Sequence, residues 1–199
     1  MAQTLILARH GESEYSARGL LNGDPSVAVG LTATGEAQAR ALGEALRDTE
    51  IDLCVTTEFP RTRRTAELVL AGRDVPLEIW PDLNDPLAGS YEGLAIDGYL
   101  VWARAADSAE PVPGGGQSRQ QVVARCARAY RALLERRERT ILVVLHALPL
   151  AYLLDALDGT APAPRMERAI GYADPTSVDA GALGPAVRLL EAWSVNPGW

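Results

Sequence analysis

The chain holds only two histidines, His10 and His146, and each stands directly after a short uncharged apolar run. Thr4-Leu5-Ile6-Leu7-Ala8 leads into Arg9-His10-Gly11, and Thr140-Ile141-Leu142-Val143-Val144-Leu145 leads into His146. Such runs read as buried strands of a parallel sheet. Ligands of open α/β sheets bind just beyond the carboxyl ends of the strands, so two histidines at two strand exits point to one shared site. An unprotonated imidazole can attack phosphorus and carry the phosphoryl group covalently. Arg9 favours the neutral form of His10 by like-charge repulsion and offers a planar fork to an incoming phosphate. Arg61 follows another strand at the start of a helix opened by Pro60, where the helix N-terminus itself attracts anions. His146 is a further donor. A leaving oxygen needs a proton, which Asp85 or Glu92 in the irregular segment 81–93 can supply.

Composition narrows the alternatives. At 199 residues the chain reads as one domain spanning 1–199, long enough to bury a large core. A net charge of −7 argues against a general nucleic-acid or anionic-membrane binder. All 19 basic residues are arginine. With no lysine, Schiff-base chemistry and a P-loop lysine are excluded. Cys54 and Cys126 form neither a Cys-x-x-Cys pair nor a zinc spacing and read as small buried hydrophobes; no metal and no cofactor are expected. The start lacks a basic n-region, and the apolar stretch 141–154 is interrupted by His146 and Pro149 and falls short of the ~20 residues of a membrane span. A soluble cytoplasmic protein is expected, with no membrane or nucleic-acid partner.

The elements that must position these residues alternate. Strands are expected over 51–56, 77–79, 140–145 and 187–193, besides the first. Thr32 caps a helix whose apolar stripe is Ala37, Ala41 and Ala45 with Leu42 and Leu46. Further helices are expected over 60–71 and 99–106, after the glycines at 114–116, and from near Pro149. The third of these presents Val122, Cys126, Tyr130 and Leu133 on one face. Residues 161–185 read as loop-rich. Strands alternating with helices imply an α/β fold, a mainly parallel central sheet with helices on both faces.

The motifs resemble the histidine phosphatase superfamily, also called the phosphoglycerate mutase-like family. Arg9-His10-Gly11-Glu12-Ser13 matches its hallmark. Leu31-Thr32-Ala33-Thr34-Gly35-Glu36-Ala37-Gln38-Ala39 matches its Leu-Thr-x-x-Gly-x-x-Gln-Ala block. The block around the second phosphate arginine is Thr57-Glu58-Phe59-Pro60-Arg61, followed by Gly89-Ser90-Tyr91-Glu92-Gly93 and Gly115-Gly116-Gln117-Ser118. The resemblance implies a three-layer αβα sandwich, His10 as the phosphorylated nucleophile, and Arg9, Arg61 and His146 as phosphate ligands without a metal. It places Asp85 at the family's proton-donor position, where glutamate is usual, and assigns Ser16, Asn22 and Gly23 to substrate binding. Ser16 stands where asparagine is usual, Leu20 where arginine is frequent (with Arg18 as a substitute), Ala147 where glycine follows the second histidine, and Gln117 where glutamate is common.

A cysteine phosphatase needs five residues between its cysteine and arginine; six separate Cys54 from Arg61, including Glu58 and Pro60, so that reading is rejected. Metal-dependent hydrolysis has too few clustered ligands. The family resemblance leaves hydrolase against mutase. Phosphoglycerate mutases carry a longer, more basic insertion where this chain has the short segment 93–114 with Arg104 alone, which favours hydrolysis of a small phosphorylated substrate. A weakly catalytic phospho-ligand sensor is the alternative from another class. Leu20, Leu21, Tyr91, Tyr99 and Trp102 are expected to line an apolar mouth or to pack as core. Oligomeric state has no signature in the sequence.

Overall fold

The computed structural model describes residues 3–199. The first strand, β1 (Thr4–Arg9), is followed by a one-turn helix α1 (Glu14–Ala17) and by α2 (Ala33–Ala45). Then come β2 (Leu53–Thr56), α3 (Pro60–Val69) and β3 (Leu77–Ile79). An irregular stretch leads to α4 (Ile96–Ala105), the long α5 (Arg119–Leu134), β4 (Thr140–Leu145), α6 (Ala147–Leu157), β5 (Pro175–Asp179) and α7 (Ala180–Val195).

The strands form one sheet in the order β3-β2-β4-β1-β5. All neighbours are parallel except β1 and β5, which run antiparallel. Alternate side chains of the central strands feed two cores, as the period-2 geometry of a strand requires. Leu5, Leu7, Val55, Ile141, Val143 and Leu145 pack against residues of α5, α6 and α7. Ile6, Ala8, Cys54, Leu142 and Val144 pack against Leu42 and Leu46 after α2 begins, and against Ala66 and Val69 of α3. The sheet is therefore covered on both faces, and the expected three-layer α/β architecture is the observed one.

The register pairs Arg9 with Leu145, and the His10 N–H donates to the Leu145 carbonyl at 3.0 Å. The two histidines thus leave adjacent parallel strands side by side. The chain after β1 serves one face of the sheet and the chain after β4 the other, which opens a crevice between the two strand ends.

Three expectations are corrected. Residues 187–193 are not a strand but part of α7: Leu183, Ala186, Val187, Leu190 and Trp193 recur at helical spacing and are buried, and the Asp179 carboxylate caps the helix by accepting from Gly181 N at 2.7 Å. The last strand is instead β5, within the segment expected to be loop-rich, where only Val178 is buried. A short edge strand of polar residues lacks the apolar run that announces a buried one. On α2, Ala37, Ala41 and Ala45 face solvent, and the buried stripe is Gly35, Ala39 and Leu42, continued by Leu46.

The start of α2 grips the loop after His10. A Cβ on Gly35 would lie 2.0 Å from the Glu12 carbonyl oxygen, and one on Gly11 would lie 2.3 Å from the Gly35 oxygen. Glu12 N donates to Gln38 Oε1 at 2.9 Å, and Thr32 N donates back to Glu12 O at 2.9 Å. Gly35→Ala is expected to destabilise the protein by about 1–3 kcal/mol in urea unfolding, the usual cost of overpacking. It should lower turnover further by displacing the His10 loop; a variant of unchanged stability and turnover would contradict this contact.

Candidate active site

His10 is buried at the end of β1, and its ring is oriented by a single backbone contact. Nδ1 lies 2.7 Å from the Gly11 carbonyl oxygen. A carbonyl can only accept, so Nδ1 carries the proton and Nε2 keeps its lone pair. That lone pair accepts from Arg61 Nε at 3.1 Å. Burial lowers the His10 pKa well below its ordinary value, with Arg61 and Arg9 pushing the same way and the Gly11 carbonyl opposing. The ring is neutral at neutral pH, with its basic nitrogen facing the Arg61 guanidinium.

Arg61 sits in the first turn of α3, which has no side-chain cap and begins with Pro60. Its guanidinium is only 3 % exposed and every nitrogen is engaged. Nη1 donates to Asn22 Oδ1; Nη2 reaches Asn22 O at 3.1 Å, Asp85 Oδ2 at 3.1 Å and His146 Nδ1 at 3.2 Å. The Phe59 ring lies 4.1 Å beneath it. Arg9 stacks on the Tyr172 ring at 3.8 Å and donates to Ile170 O at 3.0 Å.

His146 is fully buried as the residue preceding α6, its ring centroid 5.4 Å from that of His10. Because a guanidinium never accepts, Nδ1 is the acceptor toward Arg61, and Nε2–H donates to Thr57 Oγ1 at 3.0 Å. The Thr57 hydroxyl donates to Thr62 Oγ1 at 2.8 Å, and Thr62 donates to Phe59 O at 2.9 Å. Burial, then Arg61, lowers the His146 pKa well below its ordinary value. His146 therefore stands behind Arg61, outside the wall of the open cavity.

Asp85 faces the same guanidinium and lies 3.5 Å from His146 Nδ1. Burial raises its pKa, against the lowering pull of Arg61, Arg9 and Arg125. Its loop is held by Arg125 of α5, which donates to the carbonyls of Asp82, Asn84 and Asp85 at 2.9, 2.6 and 3.1 Å, and to Gln117 Oε1 at 3.0 Å. Glu92 has a different part. Its carboxylate accepts from Asn22 Nδ2 at 2.9 Å and from the N–H groups of Gly23 and Asp24 at 2.7 and 3.2 Å, fixing the loop that holds Arg61.

Arg9, His10, Ser16, Asn22, Gly23, Arg61 and Asp85 all line one cavity of about 500 Å³. Within it the Ser16 hydroxyl is engaged by Ser13, Oγ to Oγ at 2.6 Å. Gly23 allows a close approach: a Cβ there would meet the Pro86 oxygen at 2.1 Å. Leu20, Leu21 and Tyr99 line the cavity as expected, whereas Tyr91 and Trp102 pack with Tyr99 in a small separate cluster. Arg18 is exposed over the Tyr15 ring rather than replacing an arginine at position 20. The sequence reading missed Asn22 as the acceptor for Arg61, Arg125 as the clamp on the Asp85 loop, and Tyr172 beneath Arg9. Arg125 had a signal, an arginine on the buried stripe of α5; Tyr172, in an irregular segment, had none.

Cys54 is inert, because burial pushes its thiol up to about 12. Among the described residues no group of three or more His, Cys, Asp or Glu could hold a metal ion, and no helix is long and apolar enough to cross a membrane.

The family model of the histidine phosphatase superfamily (branch 1) matches residues 5–192. The chain belongs to this superfamily. It is 35 % identical over 178 residues to a 2,3-bisphosphoglycerate-dependent phosphoglycerate mutase of Methylobacterium sp. (strain 4-46), covering 80 % of this chain and 82 % of that protein. It is 37 % identical over 120 residues to the adenosylcobalamin/alpha-ribazole phosphatase of Salmonella typhimurium, covering 56 % of this chain and 58 % of the relative. Among solved structures, the alpha-ribazole phosphatase of Shigella flexneri superposes with a TM-score of 0.78 at 31 % identity over 89 % of this chain and 90 % of that one. These relatives of the histidine phosphatase superfamily include both phosphatases and mutases.

In this superfamily member the buried guanidinium is the most connected group of the cavity. Arg61→Ala is expected to lower kcat/KM for a phosphomonoester roughly 10²- to 10³-fold, the usual loss for one preorganised charge-stabilising group. Arg61→Lys, which keeps charge but loses the fork, should fall between. Wild-type rates in Arg61→Ala would remove it from the phosphate site.

Proposed function

We propose that this chain is a phosphomonoester hydrolase that acts through a phosphohistidine at His10. The observation that carries the reading is the neutral His10 ring, with Nδ1 bound to Gly11 O and Nε2 directed at Arg61 beside Asp85. Nε2 attacks phosphorus while Arg9 and Arg61 hold the equatorial oxygens. His146 Nδ1, 3.2 Å behind Arg61, accepts from the guanidinium and orients it, and becomes a donor to the phosphate oxygens only on taking up a proton. Burial raises the Asp85 pKa, so its acid form is more accessible than that of a free carboxyl; in that form Asp85 gives its proton to the leaving oxygen as the ester P–O bond breaks. Water then attacks the phosphohistidine, Asp85 takes the proton, the P–N bond breaks, and inorganic phosphate leaves with His10 regenerated.

The substrate is a small organic phosphate whose carbon portion meets Leu20, Leu21, Ile96, Tyr99 and Leu148. Hydrolysis rather than transfer is favoured because segment 93–114 adds only the short α4 over the cavity. The named phosphatase and mutase relatives agree with a small phosphorylated metabolite as substrate. The free, buried Cys54 and Cys126 suit a reducing, cytoplasmic setting.

His10→Ala should abolish phosphate release and leave the fold intact by circular dichroism; substantial turnover in that variant would overturn the assignment. Asp85→Asn should slow alkyl phosphates by about 10²- to 10⁴-fold and barely affect aryl phosphates, whose phenolate leaves unprotonated. Comparable losses for both esters would give Asp85 another role.

The pH dependence follows from the two shifts. The acid form of Asp85 is required, so kcat/KM for alkyl esters should fall as pH rises through its raised pKa. The base form of His10 is required, and its lowered pKa keeps that form populated well below pH 6.5. The alkaline limb should vanish in Asp85→Asn; its persistence would assign it to another group.

A further inference from the structure

The cavity extends well beyond the space a phosphate needs, and its charge is one-sided. Its wall carries Arg9, Arg61, Arg104, Arg119 and Arg165 against the single carboxylate of Asp85, in a chain of net charge −7. Arg9 and Arg61 belong to the phosphate end, and Arg165 lies 3.3 Å from Glu167. Arg119 is different. It is the first residue of α5, whose backbone is fixed by a reciprocal cap between Ser118 and Gln121. Of its guanidinium nitrogens only Nη1 is engaged, donating to Tyr152 Oη at 2.9 Å. Nε is buried with no hydrogen-bond partner. The other close group is the Tyr99 ring, 5.6 Å away. Both phenols stay neutral, since burial raises their pKa values. Arg119 takes part in none of the ion pairs among the described residues.

Arg119 is half-buried, and a cation with a buried unpartnered donor and no counter-charge gains from a ligand that supplies one. Leu100, Ala103 and Leu148 line the same cavity and add apolar wall to it. We propose that Arg119 is a second anion subsite: the substrate carries, at the end remote from the transferred phosphate, a carboxylate or second phosphate that Arg119 binds. This rests on the reading of His10 and Arg61 as the phosphate end. Arg119 is then a specificity residue, selecting dianionic metabolites over simple monoesters.

The test is equilibrium binding of non-hydrolysable phosphonates, measured by titration calorimetry. Phenylphosphonate is compared with 3- and 4-phosphonobenzoate, their neutral carboxamides, and alkyl bisphosphonates and phosphonocarboxylates of graded length. Wild type should bind the best carboxylate or bisphosphonate roughly tenfold or more tighter than its neutral counterpart, about the worth of one charge-assisted hydrogen bond. Which arm shows the preference identifies the group. Arg119→Met should collapse that ratio towards one, and Arg119→Lys should retain part of it. No preference in wild type at any length, or an unchanged ratio in Arg119→Met, overturns the proposal. Phosphate release from the matching esters is followed in parallel. Its absence in wild type would overturn the hydrolase reading, while the binding ratio would still decide the role of Arg119.

Discussion

One buried cation organises this site. Arg61 has almost no contact with bulk solvent, and its guanidinium is pinned by groups from four separate segments: His10 after β1, the Asn22 loop, the Asp85 loop and His146 after β4. An isolated charge so placed would be strongly unfavourable. Here Asp85 supplies the opposite charge, and the remaining donors meet acceptors of fixed geometry. The same arrangement sets the protonation states around it, holding both histidines neutral and, with burial opposing it, leaving Asp85 a weaker acid than usual. Nucleophile, cation and acid are thereby separated by environment rather than by residue type.

The fold makes that convergence possible at low conformational cost. β1 and β4 are adjacent and parallel, so residues one step past each strand are neighbours without any loop having to reach. The rest of the scaffold holds the groups from behind. Thr65 accepts from Gly11 N at 3.0 Å and donates to Arg61 O at 2.8 Å, tying the nucleophile loop to the helix that carries the cation. Arg125 and Gln117 fix the backbone on which Asp85 rides, and Glu92 fixes the loop of Asn22. Two acidic residues that look interchangeable in sequence thus have different tasks, one facing the cavity and one buttressing a loop.

The strand exits, the helix opened by Pro60 and the motif blocks were legible because each depends on local pattern: apolar runs, a cap, a proline at the first turn. The strand and helix exits pointed to His10 and Arg61 together, whereas local pattern left Asp85 and Glu92 open and only the motif resemblance selected Asp85. What was not legible depends on distant partners. Residues 187–193 are apolar enough for either element, and helical packing against α5 and α6 decides the matter. β5 is polar and short, and it pairs as a strand because β1 offers it an edge. The alanines of α2 satisfy helical spacing equally on two faces, and the buried face is chosen by Gly43, where a Cβ would lie 2.9 Å from the Val69 oxygen of α3, and by Gly35, which abuts the Glu12 loop. The hydrogen bonds of His146 to Thr57 and Arg61 span 89 and 85 residues, beyond any spacing rule.

The chemistry turns on which nitrogen of His10 is free. Rapid quenching of the enzyme with a fast-leaving aryl phosphate, followed by alkaline digestion and ³¹P and ¹⁵N resonance assignment, locates the phosphoryl group atom by atom. The hydrogen bond from Nδ1 to Gly11 O predicts a single phosphohistidine, at His10 and on Nε2. Phosphate on Nδ1, on His146, or on a side-chain oxygen would contradict it.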